Sequence, residues 1–246
     1  MMRQLFIGLF LTIGLSGFSQ EPDKDAGGTI MRREFSIGLN FNANAGANGW
    51  GPSFEYSFQK TYKYKHSFGF TCTNIRHPKE FSVVNNNGSS RGYFYGKLNS
   101  LVCFRPTFGG KLMLFQSKRE NGIEISYKWH LGPVFGLLKP VYLKIAKFNT
   151  NPIDERYNPS IHNTENISGR SPWTKGLGES EIKIGLFLKS GFDFNFATVS
   201  NKISGGEIGF MVDFFPSSSI QLANNNPSQK IFPSLYLQFN LGQRLN

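Results

Sequence analysis

The chain has 246 residues, 39% of them hydrophobic and 15% aromatic, with 25 Phe, 27 Gly and only 17% charged residues. That composition excludes a disordered polyelectrolyte, a collagen-like repeat and low-complexity sequence, and two cysteines exclude a disulfide scaffold. The formal charge is +11, but the basic residues are scattered rather than gathered in one run, so no nucleic-acid partner is expected.

Residues 1–19 read as a secretory signal peptide: Arg3, an apolar stretch from Leu5 to Leu15, and the small-residue exit Ser16-Gly17-Phe18-Ser19, with cleavage expected after Ser19. The apolar stretch is shorter than the roughly 20 residues a membrane helix needs, and no later segment reads as such a helix. Residues 20–33 form a polar tail, expected in the periplasm. If the remainder, 34–246, crosses a membrane, it must do so as a closed barrel, because only helices and closed barrels satisfy the backbone in lipid.

The dominant signal is period two, which sends successive strand side chains to opposite faces. Phe35, Ile37, Leu39, Phe41, Ala43, Ala45 and Ala47 alternate with an amide-rich face, and Phe54, Tyr56 and Phe58 alternate with Glu55, Ser57 and Gln59. Tyr62, Tyr64, His66, Phe68, Phe70 and Cys72 oppose Lys63, Lys65, Ser67 and Thr71. A weaker fourth segment, Tyr93 to Phe104, has Phe94, Leu98, Val102 and Phe104 on one face, with Leu101 out of pattern. The fifth sets Ile123, Ile125, Tyr127, Trp129 and Leu131 against Glu124, Ser126, Lys128 and His130, with a continuation through Val141, Leu143 and Ile145 left open by Gly132 to Pro140. Segments at Ile182–Phe196, Glu207–Phe214 and Leu235–Gly242 complete a count of eight.

A soluble sandwich also alternates. Several runs here, however, reach the roughly 9–11 residues of a tilted membrane strand rather than the roughly 5–6 of a sandwich strand. The connections also differ by side. Asn48–Gly51, Arg76–Arg91, Lys147–Ser180 and Pro216–Ile231 are mostly long and polar, as exterior loops are, and Lys60-Thr61, Pro106–Gly122 and Ser200–Gly206 lie on the other side. Within Pro106–Gly122, Lys111-Leu112-Met113-Leu114-Phe115 reads as a short helix or an extra strand, which keeps ten strands as the alternative. The expected fold is an all-β, antiparallel, up-and-down transmembrane barrel.

The exit Phe18-Ser19-Gln20, the alternation and the terminal run Leu235-Tyr236-Leu237-Gln238-Phe239-Asn240-Leu241 resemble the small eight-stranded outer-membrane barrels of OmpX and OmpA type, and more narrowly the exported barrels of Bacteroidota. Gly242 to Asn246 stand where that pattern has a closing aromatic. The resemblance implies an outer-membrane location with both termini in the periplasm, lipid around the wall and protein partners. It also implies a role as accessory or structural subunit of a larger complex, for protein secretion such as type IX or for outer-membrane assembly and surface export. A stand-alone adhesin or ligand-binding barrel, or a narrow porin, is the alternative.

An eight-strand interior is just wide enough for side chains to fill it. The expected interior charge network is Glu55, Lys63, Lys65, Lys97, Glu124, Lys128, Lys183, Lys189, Asp193, Glu207 and Asp213, with Arg105 on the same face. Both signs together favour a paired plug over a channel. The loop 147–180 carries the expected partner contacts Arg156, Tyr157, Arg170, Trp173 and Lys175. The four histidines have no metal-ligand spacing, and adjacent His66 and Ser67 point to opposite faces, so no metal, cofactor or enzymatic activity is expected. Cys72 on the apolar face and Cys103 on the polar face are expected to be free thiols.

Overall fold

A computed structural model describes residues 33–43, 48–61, 63–77, 80–84, 92–115, 122–146, 151–197, 202–216, 219–224 and 228–245. The expected signal segment 1–19, nearly all of the tail 20–33, Ala45, Ala47 and Tyr62 lie outside these residues.

Thirteen strands are present among the described residues, in chain order β1 Arg33–Ala43, β2 Asn48–Thr61, β3 Tyr64–Arg76, β4 Phe81–Val83, β5 Tyr93–Tyr95, β6 Asn99–Phe115, β7 Ile123–Pro140, β8 Tyr142–Ile145, β9 Ile153–Arg156, β10 Ile167–Arg170, β11 Glu181–Ala197, β12 Lys202–Phe214 and β13 Ile231–Leu245. Eight of them close into a barrel in the order β1-β13-β12-β11-β7-β6-β3-β2. Every neighbouring pair is antiparallel, and the ring is sealed by β1 against β13, from Arg33 opposite Leu245 to Ala43 opposite Leu235. The barrel strands run from 11 residues in β1 to 18 in β7.

The sheet is inside-out relative to a water-soluble protein. Phe35, Ile37, Leu39 and Phe41 on β1, Ile184, Leu186 and Leu188 on β11, and Leu235, Leu237, Phe239 and Leu241 on β13 are exposed, while the alternate residues on the same strands are buried and largely polar. Such a belt far exceeds the few hundred Å² of contiguous apolar surface a soluble monomer exposes. It fits the outer face of a membrane-spanning barrel, whose closure leaves no unpaired edge in lipid.

Several boundaries differ from the sequence reading. The first part of Pro106–Gly122 is not a connection: β6 runs through Pro106 to Phe115, so Lys111–Phe115 is neither a helix nor an additional strand, and residues 116–121 lie outside the described residues. Gly132–Pro140 belongs to β7, and Asn48–Gly51 to β2. The register of Phe104 with Phe135 and Phe108 with Leu131 sets Pro106 opposite Pro133. Neither proline has an N–H to leave unpaired, so the ladder skips this point without orphaning a donor. Tyr93–Tyr95 is not the start of a barrel strand; it pairs with Phe81–Val83 in a separate hairpin. Val141, Leu143 and Ile145 do not extend the fifth barrel strand either. Leu143 and Ile145 lie on β8, the centre of a three-stranded sheet ordered β10-β8-β9.

That sheet and hairpin form a cap at the end of the barrel away from Arg33 and Leu245. Tyr93, Leu143, Ile145, Tyr157 and Ile167 are its buried core, with Val83, Tyr95, Leu98 and Val141 packed against it. Backbone bonds from Val141 N to Leu98 O and from Tyr157 N to Val141 O stitch it to the strand ends below. Residues 151–180, the described part of the expected loop, are therefore largely folded.

Candidate functional site

The lumen and the cap are the two places where this fold gathers chemistry. In the lumen, six cations, Lys65, Arg105, Lys111, Lys128, Lys189 and Arg244, meet six carboxylates, Glu34, Glu55, Glu124, Asp193, Glu207 and Asp213. At the barrel end marked by Arg33 and Leu245, Glu34 accepts from Lys65 at 2.6 Å and from Arg244 at 3.0 Å, and Arg244 also reaches Glu124 at 2.8 Å. Lys111 joins Glu124 to Asp193 at 3.6 and 2.8 Å, and Lys128 contacts Asp193, Glu55 and Glu207 at 3.3, 2.9 and 3.3 Å. Lys189 closes the chain on Glu207 at 2.9 Å, and Tyr236 donates to the same carboxylate at 2.6 Å. Buried charges are tolerated only when paired and hydrogen-bonded, and here each has at least one partner of opposite sign.

Farther from that end, Arg105 donates to both oxygens of Asp213 at 2.7 Å, bonds Thr73 Oγ1 and lies 4.9 Å over the Phe187 ring. Above it the lumen turns apolar. Ile75, Leu101, Cys103, Val134, Phe187, Met211 and Phe232 form a plug, completed by Phe215, Ile220 and Leu222 from the connection after β12. Leu101 breaks the alternation of the fourth segment because it faces this plug. Small spaces remain among the charges, one lined by Glu34, Glu55, Lys111, Lys128 and Asp193 and another by Thr71, Thr107, His130 and Lys189, each of about 10 Å³. Each is room for about one water molecule.

Of the expected interior charges, Glu55, Lys65, Glu124, Lys128, Lys189, Asp193, Glu207 and Asp213 are brought together in the lumen. Lys63 is not: it stands exposed in the turn before β3. Lys97 is buried in the cap region, 2.7 Å from Glu80, and burial pushes its ammonium below the usual lysine value against the pull of that carboxylate. Lys183 sits near the start of β11, 2.6 Å from the exposed Glu181. The sequence reading missed Glu34, Lys111 and Arg244. Glu34 and Arg244 share the parity of Ser36 and Asn240, so extending the alternation by one step finds them; Lys111 was hidden in an apparent loop.

It also missed a buried serine–histidine pair. Ser67 Oγ lies 3.0 Å from His130 Nε2 although the residues are on β3 and β7. Ser67 faces Gly109 on β6, and Gly109 faces His130, so the three share one row. A Cβ at Gly109 would stand 2.0 Å from the Trp129 carbonyl oxygen and 2.7 and 2.9 Å from two His130 ring carbons, so the close approach of β7 and the path of the imidazole to Ser67 both need glycine here. His66 instead faces outward, among Phe58, Tyr64 and Phe108. Among the described residues no carboxylate is hydrogen-bonded to His130 Nδ1, and the space beside the ring is about 10 Å³.

In the cap, Arg156, Arg170, Trp173 and Lys175 are exposed, with Arg156 3.9 Å from Glu179 and Lys175 3.6 Å from Asp154. Tyr157 is a correction: it is buried in the cap core and offers no contact surface. Among the described residues no cluster of three or more His, Cys, Asp or Glu is placed to hold a metal, and both cysteines are free thiols.

No protein-family model matches the chain, and no curated protein matches it in sequence. Solved structures resemble it in fold. The attachment invasion locus protein Ail of Yersinia pestis, determined in complex with the heparin analogue sucrose octasulfate, is 12% identical with a TM-score of 0.43, covering 87% of this chain and 99% of its own. Neisserial surface protein A is 9% identical with a TM-score of 0.39, covering 87% and 96%. The outer membrane protein OprG of Pseudomonas aeruginosa is 8% identical with a TM-score of 0.38, covering 88% and 96%.

Proposed function

We propose that this chain is a non-enzymatic, non-conducting outer-membrane barrel that presents a folded cap to a protein partner, as an accessory or structural subunit of a larger complex for secretion, outer-membrane assembly or surface export. The observation that carries this reading is the pairing of a sealed lumen with a cap that has its own hydrophobic core. A pore needs an open interior, whereas a barrel that spends its lumen on paired charge and an apolar plug is a rigid mount. A cap with a core holds its exposed side chains in fixed positions, which lowers the ordering cost of binding. Arg156, Arg170 and Lys175 are the proposed partner contacts.

The testing experiment is mild detergent extraction of the tagged protein from its native membrane, with mass spectrometry of what co-purifies at constant stoichiometry and photo-crosslinkers at positions 156 and 170. A constant set of large membrane subunits, crosslinked through the cap and lost in an R156E/R170E variant, is expected. Recovery of the barrel alone across several detergents overturns the subunit role and moves the weight to a stand-alone adhesin.

A further inference from the structure

The β10-to-β11 segment lies outside the circumference of the barrel. On β7 the side chains of Val134 and Leu138 turn inward, Gly136 faces Leu101 and Phe215 in the plug, and Phe135 is exposed outward, so Leu137 and Lys139 belong to the outer face. Lys139 is nonetheless only 5% exposed. What covers it is the stretch 172–180: its ammonium donates to Lys175 O at 2.8 Å and to Pro140 O at 3.2 Å, and lies 5.7 Å from the centre of the Trp173 ring. Gly176, at φ 81°, makes the left-handed turn that starts the short 3₁₀ turn Leu177–Glu179, and Tyr142 donates to Glu179. These bonds fold the stretch as a flap against the outer face at the rim.

The flap sits over lipid-facing wall. Leu137 pairs with Ile182, which is 69% exposed, and both lie just below Lys139. Trp173 is 59% exposed and Leu177 39%, with the half-exposed Lys175 ammonium between them in sequence. A tryptophan, an aliphatic side chain and a lysine continuous with an apolar wall are the groups that partition at a membrane interface, indole and alkyl toward the acyl boundary and ammonium toward the headgroups. We propose that residues 172–179 are an interfacial anchor: Trp173 and Leu177 enter the headgroup layer of the leaflet at the cap end, and the lipid surface is the occupant of this apolar patch. The proposal rests on the barrel spanning the membrane, and it takes Trp173 and Lys175 out of the set of partner contacts.

The test uses two single-tryptophan forms of the full chain in phosphatidylcholine vesicles. W50F/W129F leaves Trp173, and W50F/W173F leaves Trp129 on the outer wall as a reporter of insertion. Circular dichroism checks that each is folded. Lipids carry a quencher either near the headgroup or deep in the acyl chain. Trp173 is expected to be quenched at least twofold more strongly by the shallow label than by the deep one, and to be shielded from aqueous iodide. If Trp129 is quenched by lipid while Trp173 responds only to iodide, the anchor is wrong and the spanning barrel stands. If neither responds to lipid, both readings fall. Shielding of Trp173 from iodide and from both lipid labels, lost on dilution, would assign the patch to a second copy of the chain and overturn the anchor.

Discussion

Arg105 and Asp213 are held by two 2.7 Å hydrogen bonds, on β6 and β12, with both side chains fully buried in the lumen. Removing one partner leaves the other as an uncompensated buried charge, which costs about 3–5 kcal/mol, whereas replacing both by apolar groups is often neutral. R105M and D213L are each expected to lower the stability of the folded barrel by that amount, and R105M/D213L to recover most of it. Urea unfolding in lipid vesicles measures the cycle; additive losses would sink the argument.

The Ser67–Gly109–His130 row gives a second prediction. G109A pushes a methyl into the imidazole and is expected to cost about 1–3 kcal/mol by overpacking. The same substitution paired with H130A is expected to cost somewhat less than the sum of the two single changes, because the ring contact is relieved while the methyl still stands 2.0 Å from the Trp129 carbonyl oxygen. Equilibrium unfolding of the three variants decides this.

The described residues fill the lumen with paired charges and an apolar plug, so the purified protein in planar bilayers is expected to show no stable unitary conductance. Shortening Lys128 and Lys111 to alanine together leaves Asp193 without an ammonium and widens the space beside it, and should produce cation-selective leak events. A steady conductance step from the unmodified protein would contradict the sealed interior.

Thiol labelling separates the two faces. Cys103 is fully buried in the apolar plug, and Cys72 is partly exposed on the wall. In the folded protein in detergent, maleimide should modify Cys72 more than tenfold faster than Cys103; after unfolding without reductant both should react. Failure of either to react in the unfolded state would contradict the free-thiol assignment.

Tyr157 tests the cap. Y157A removes a core side chain and is expected to destabilise the cap by about 3 kcal/mol while leaving the barrel folded. Limited proteolysis should then cut within 147–180 at least tenfold faster, with the barrel fragment intact by mass spectrometry. Unchanged cleavage would mean that the cap does not depend on this core.

The membrane strands were legible because their signal is local: a period-two pattern such as Phe54-Glu55-Tyr56-Ser57-Phe58 decides both strand and facing without knowledge of neighbours. The middle of the barrel was less legible because its markers argue against strand. Pro106, Gly109-Gly110, Gly132-Pro133 and Gly136 read as turn chemistry, since proline normally leaves a central strand. Here the two prolines face each other and Gly109 makes room for His130, facts of register that one strand cannot carry. The cap was illegible for the same reason. Tyr93, Leu143, Tyr157 and Ile167 come from four separate segments and become a core only when the barrel brings their anchors together. Nine of the twelve lumen charges among the described residues could be named from the polar faces, but their partners lie as far apart as Glu34 and Arg244, 210 positions along the chain.

That last distance bears on how the wall closes. Sliding β13 by one residue against β1 would turn its leucines inward, an error the lipid itself rejects. A slide of two residues preserves every apolar-out, polar-in position, so hydrophobicity cannot detect it. Such a slide would carry Arg244 away from Glu34 and Glu124, leaving two carboxylates short of a cation inside the barrel. The balanced lumen thus acts as a lock that accepts one seam only, and the final strand proofreads its own alignment by charge after greasiness has ceased to discriminate.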